Sequence, residues 1–92
     1  MEKNKQHTFY VLECADGTYY AGYTNDLHKR IDVHNSGKGA KYTRARLPVS
    51  CIYKETYETK QLAMRAEYAF KQLRKADKIV YMTSEQRGED AE

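Results

Sequence analysis

Short apolar and aromatic runs alternate with turn residues in the first part of the chain, and spacing of helical type follows. Residues 8–13, Thr-Phe-Tyr-Val-Leu-Glu, and 18–23, Thr-Tyr-Tyr-Ala-Gly-Tyr, have strand character and flank Cys14-Ala15-Asp16-Gly17. Asp-Gly between two such runs is a hairpin signal. Two loops fit. A two-residue Asp16-Gly17 turn pairs Ala15 with Thr18 and sets Tyr10 on the face of Tyr19 and Tyr23. A three-residue Ala15-Asp16-Gly17 loop, with Gly17 left-handed, pairs Cys14 with Thr18. Tyr10, Leu12, Tyr20 and Gly22 then share a face, because side chains alternate with period two. The pattern leaves both open.

Thr24-Asn25-Asp26 reads as a helix start, with small polar caps ahead of Leu27, Ile31 and His34 at i, i+4 and i+7. Asn35-Ser36-Gly37 ends that helix. A loop is expected over 38–48, then a strand from Val49 to Tyr57 with Val49, Cys51 and Tyr53 on one face and Ile52 on the other. A second helix starts near Thr59, with a stripe of Leu62, Ala66, Ala69, Phe70 and Leu73. Residues 76–82 read as a short third helix or turn. The expected fold is α+β: a small three-stranded antiparallel sheet flanked by two or three helices, in the order ββαβα with room for a final α. It occupies residues 8–82, between an N-terminal tail (1–7) and an acidic, disordered tail (83–92).

Charge sharpens this picture. The 92 residues carry a net +3, but residues 28–54 hold seven Lys/Arg and one acid, whereas 83–92 hold four acids and one Arg. A basic middle favours a polyanionic partner. No apolar run approaches a membrane span, so no membrane partner is expected. The polar residues 1–6 do not resemble a secretory signal, and a cytoplasmic protein is expected. Cys14 and Cys51 lie far apart with no Cys/His cluster, and read as reduced thiols packed on strands.

Several polar residues are not explained by packing. Arg30 and His34 are i, i+4 neighbours beside the buried stripe. Arg30 is either a snorkelling side chain or a planar guanidinium aimed at a phosphate. His34 is either a half-buried residue with a backbone partner or a site residue. Glu67 either pairs with Lys71 at i, i+4 or faces the sheet as a carboxylate for a hard cation. Tyr19 and Tyr20 are adjacent and must point to opposite faces. Lys38, Lys41, Arg44 and Arg46, interleaved with glycines and Tyr42, form either a solvated loop or a nucleic-acid contact. Four cations on duplex phosphates would give a slope of log K against log salt of about −3.6.

Together these residues resemble the GIY-YIG nuclease superfamily. Thr8-Phe9-Tyr10 stands at the first motif and Tyr20-Ala21-Gly22 at the second. Asn25-Asp26-Leu27-His28-Lys29-Arg30 matches the Arg helix, and Ala66-Glu67-Tyr68-Ala69-Phe70-Lys71 the Glu helix. The stretch from His34-Asn35 through Gly37, Gly39 and Ala40-Lys41-Tyr42-Thr43 is similar to the small stand-alone bacterial proteins of the superfamily. Thr8, Phe9 and Ala21 depart from the motif residues Gly, Ile and Ile.

The resemblance implies an endonuclease that hydrolyses phosphodiester bonds with one divalent ion, Mg²⁺ or Mn²⁺. Tyr20 would be the general base or position the water, and Tyr10 would hydrogen-bond near it. Arg30 would hold the scissile phosphate. His34 would be a supporting or phosphate contact. Glu67 would be the single protein ligand of the metal. Placing Tyr10 with Tyr20 selects the three-residue hairpin loop. One site cuts one strand, so a monomer or weak dimer acting on structured or single-stranded DNA is expected. The alternatives on the same fold are an inactive nucleic-acid-binding module and a protein-interaction adaptor.

Overall fold

A computed structural model describes residues 6–90. Among them, strands β1 (His7–Glu13), β2 (Tyr19–Thr24) and β3 (Ser50–Tyr57) form one antiparallel sheet in the order β2-β1-β3. The helices are α1 (Leu27–Asn35), α2 (Lys41–Arg44), α3 (Lys60–Lys71) and α4 (Lys75–Asp90). The α+β class, the antiparallel sheet and the ββαβα order with a final helix match the expectation.

The hairpin takes the three-residue loop. Leu12 pairs with Tyr20 and Tyr10 with Gly22. Cys14 N–H donates to Thr18 O at 2.8 Å, and Gly17 has φ +85°, the left-handed region open to glycine. Tyr10, Leu12, Tyr20 and Gly22 therefore share a face.

Each side of the sheet carries its own core. On one side Phe9, Val11, Ala21 and Tyr53 pack with Phe70 of α3 and Met82 of α4. On the other, Tyr10, Leu12, Cys14 and Val49 pack with Leu27 and Ile31 of α1. Tyr19 joins the first core and Tyr20 the second, so the adjacent pair does divide between faces. Both cysteines are free thiols, Cys14 buried and Cys51 half-buried. Two of the motif departures, Phe9 and Ala21, lie in the α3-facing core. They leave the Tyr10 face unaltered.

Four expectations need correction. Val49, Cys51 and Tyr53 do not share a face. Val11 pairs with Tyr53 but Leu12 with Cys51, so Ile52 is an extra residue in a bulge that reverses the alternation. The 38–48 loop contains the helical turn α2, in which the Ala40 carbonyl accepts from Thr43 N and Arg44 N, both at 3.1 Å. On α3, Leu62 and Ala69 are exposed. They sit about 100° and 120° around the helix from Ala63, which is fully buried at 0% exposure. The third helix is longer than 76–82, because α4 carries the backbone helical through 83–90, where composition predicts a tail. Its Tyr81 hydroxyl donates to the Glu55 carboxylate, as do Tyr53 and Tyr57, which ties α4 to β3. Residues 1–5, 91 and 92 lie outside the described residues. No helix among the described residues is long and apolar enough to cross a membrane.

Candidate active site

The site builds outward from the Tyr10 hydroxyl. Tyr10 is 1% exposed and crosses directly over Gly22 of β2. A Cβ at Gly22 would fall 2.5 Å from that hydroxyl and 2.6 Å from Cζ, so only glycine admits the ring. Asp26 caps α1 by accepting from Lys29 N at 3.2 Å. The helix then delivers Arg30 and His34 to the same face.

His34 is fully buried and its tautomer follows from its partners. Thr43 Oγ1 donates its one proton to Ala40 O at 3.0 Å. It must therefore accept from His34 Nδ1–H, 2.9 Å away. In the neutral ring Nε2 is then the acceptor. It lies 3.0 Å from the Tyr10 hydroxyl, which donates to it. Burial, and then the charge of Arg30, hold the His34 pKa below the usual histidine value, which keeps the ring neutral. Gly39 makes room for it, since a Cβ there would lie 2.9 Å from His34 Cα.

Burial pushes the Tyr10 pKa up. The Arg30 guanidinium close beside it pulls it down, and the negative forms of Tyr20 and Glu67 raise it. The net shift is upward, so the hydroxyl keeps its proton. Arg30 Nε is buried and has no hydrogen-bond partner among the described residues. Tyr20 is half-buried, and its ring lies 5.4 Å from that of His34 at 62°.

Tyr10, Tyr20, Arg30 and His34 therefore meet on one face. Glu67 arrives from α3, whose core packs on the other face, and its charge reaches the Tyr10 hydroxyl. It pairs with Lys71 at 2.9 Å, the i, i+4 contact that the helical spacing offers. Among the described residues, no group of three or more His, Cys, Asp or Glu is gathered to hold a metal. A protein-only cage is thus not available there. A single carboxylate, 17% exposed, suits a Mg²⁺-type ion that completes its shell with water and phosphate oxygens.

The predicted basic contacts divide. Lys38, Lys41 and Arg44 are exposed. Lys41 and Arg44 line a groove with Tyr42, Ala45 and Arg46. Arg46 is engaged within the protein, with Nε 3.1 Å from Asp16 Oδ2 and Nη1 donating to Tyr42 O at 2.9 Å. Sequence reasoning missed two residues. Thr43, which fixes His34, sits in a stretch that reads as loop. Asn35 reads as a helix stop, but its side chain accepts from Val49 N at 2.8 Å and donates to Val49 O at 3.0 Å. Only the motif likeness of His34 to Thr43 pointed toward either.

The sheet order and the tyrosine pair agree with a match to the GIY-YIG catalytic domain over residues 6–82. The chain belongs to the GIY-YIG family. Within that family its relatives are UPF0213 proteins, which are stand-alone domains of this type. It is 65% identical over 89 residues to a UPF0213 protein of Bacillus cereus, covering 97% of this chain and 88% of that one. It is 52% identical over 91 residues to the UPF0213 protein YazA of Bacillus subtilis, covering 99% and 91%. The solution NMR structure of a UPF0213 protein from Bacillus halodurans superposes with a TM-score of 0.57 at 45% identity, covering 85% of this chain and 83% of that one. A solution NMR structure from E. faecalis gives 0.60 at 46% identity, covering 94% and 93%.

Proposed function

We propose that this protein is a divalent-metal-dependent endonuclease that hydrolyses phosphodiester bonds in DNA, with structured or single-stranded substrates favoured. The observation that carries the reading is the meeting of two phenols, a neutral imidazole and a guanidinium with an unpartnered Nε on one sheet face. The guanidinium of Arg30 takes the scissile phosphate and offsets its developing charge. Tyr20, half-exposed, reaches the attacking water and takes or orients its proton. Tyr10 and His34 hold the floor of the site through their hydrogen bond. Glu67 holds the Mg²⁺ or Mn²⁺ ion, which when bound supplies Lewis-acid stabilisation of charge on the leaving oxygen. Lys38, Lys41 and Arg44 follow the flanking backbone. Specificity rests on substrate shape, and a monomer or weak dimer nicks one strand at a time.

Magnesium-dependent nicking of branched, single-stranded and duplex DNA tests this reading. The panel is wild type, Tyr20→Phe, Tyr10→Phe, Arg30→Ala and Glu67→Ala. Loss of the working base lowers the rate by about 10²–10⁴. Identical traces from all five proteins would remove the nuclease reading. DNA binding that survives Glu67→Ala without any nicking would favour a binding module.

A further inference from the structure

The ring of Tyr42 is 37% exposed, yet it already has two partners within the protein. It lies near-parallel to Tyr20, with centroids 6.2 Å apart and planes 22° apart. The Arg46 guanidinium covers it, with Cζ 3.9 Å from the centroid. Arg46 is itself fixed from two sides, by Asp16 Oδ2 at 3.1 Å and by the Tyr42 carbonyl at 2.9 Å. Asp16 is anchored in the hairpin loop, where Oδ1 accepts from Thr18 N and Thr18 Oγ1 at 3.1 and 2.6 Å. Ala15 N–H donates to the Arg46 carbonyl at 2.9 Å, so backbone bonding closes the same loop. A continuous column runs from Asp16 through Arg46 and Tyr42 to Tyr20.

Tyr20 needs such support. It stands on an edge strand and is half-buried, so the sheet alone does not fix its ring. Its other ring contact is His34, which Thr43 holds. Successive residues of α2 thus brace the two rings of the site, Thr43 through His34 and Tyr42 by direct stacking. Arg46 would have to surrender Asp16 and the Tyr42 ring to reach a phosphate.

We infer that Tyr42, backed by Arg46 and Asp16, is a positioning residue that fixes the Tyr20 ring for the reaction and is not a stacking platform for a nucleobase. This rests on the nuclease reading, because Tyr20 must work on the water for its orientation to matter. Misplacement of a reacting group by about 1 Å is enough to lower a rate by about 10²-fold.

The test is steady-state nicking of a branched substrate by Tyr42→Leu, Tyr42→Phe and Arg46→Gln, at a temperature where melting curves show every variant folded. Tyr42→Leu should lower kcat by about tenfold to a hundredfold and leave KM within about twofold. Tyr42→Phe should retain the wild-type rate, and Arg46→Gln should lose part of it. In a Tyr20→Phe background the Tyr42→Leu loss should vanish, since the residue acts through Tyr20. A raised KM at constant kcat, or an undiminished loss in the Tyr20→Phe background, would overturn the inference. A second readout is independent of turnover. The Tyr20 ring resonances should shift in Tyr42→Leu as the stacked ring current is lost, and unchanged resonances would refute the positioning. If the wild type nicks nothing, the nuclease reading fails, and the ring resonances still decide whether Tyr42 orients Tyr20.

Discussion

Replacing Gly22 by alanine tests the geometry on which the site depends. The new Cβ would lie 2.5 Å from the Tyr10 hydroxyl, 2.6 Å from Cζ and 3.1 Å from Cε2. Ordinary carbon contacts begin near about 3.5 Å, so the ring must move by about 1 Å. It has no free direction, because Tyr10 is 1% exposed and packed among Leu12, Cys14 and Val49. Overpacking of this kind costs about 1–3 kcal/mol. Stretching the Tyr10–His34 hydrogen bond adds about 1 kcal/mol. Each kcal/mol lowers Tm by about 4–8 °C in a domain of this size. Urea titration measures the loss, and ¹⁵N shifts of His34 report whether Nε2 still accepts from Tyr10. Adding Tyr10→Phe should not rescue the variant, because the ring carbons remain in the way. Gly17→Ala is the control. A Cβ there meets no atom within 4 Å, and the variant carries only the left-handed backbone cost of about 1–2 kcal/mol, with His34 unaffected. A Gly22→Ala protein with the wild-type urea midpoint and wild-type His34 shifts would refute the close approach.

Other outcomes follow from the same contacts. Burial and Arg30 lower the folded-state pKa of His34, so the unfolded chain binds a proton first as pH falls. That contribution to stability is complete above about pH 6.5 and declines below it; urea midpoints should fall from pH 7 toward acid, and fall less in His34→Gln. Thr43→Val leaves His34 Nδ1–H without its acceptor and should cost about 1–3 kcal/mol by denaturation, whereas Thr43→Ser should stay near wild type. Asn35→Ala removes both side-chain bonds to the Val49 backbone and should lower stability by about 1–3 kcal/mol, measured in the same titration. With Arg46 engaged by Asp16, phosphate contact through Lys38, Lys41 and Arg44 gives a salt slope of about −2.7, not −3.6; DNA-binding titrations across salt concentrations distinguish the two.

Local chemistry determined a good deal of this protein by itself. Asp16-Gly17 announced the hairpin, Leu27, Ile31 and His34 the inward edge of α1, and Thr59 the start of α3. The order of strands and helices followed, because each is encoded by neighbours within a few residues. The choice between hairpin loops was not local. Both obey period two, and only the likeness to a family selected the register that unites Tyr10 with Tyr20. The bulge at Ile52 could not be read, since a strand carries no mark of an extra residue until its partner counts it. The helical turn α2 was hidden among glycines and cations, and its value lies in what it touches. Thr43 becomes informative only when the fold sets it against His34, and Tyr42 and Arg46 only when the hairpin loop supplies Asp16. Periodicity fixes which way a side chain points. The distances at which Tyr10 crosses Gly22 and Thr43 meets His34 come from packing segments far apart in the chain, and that was decided by the tertiary structure alone.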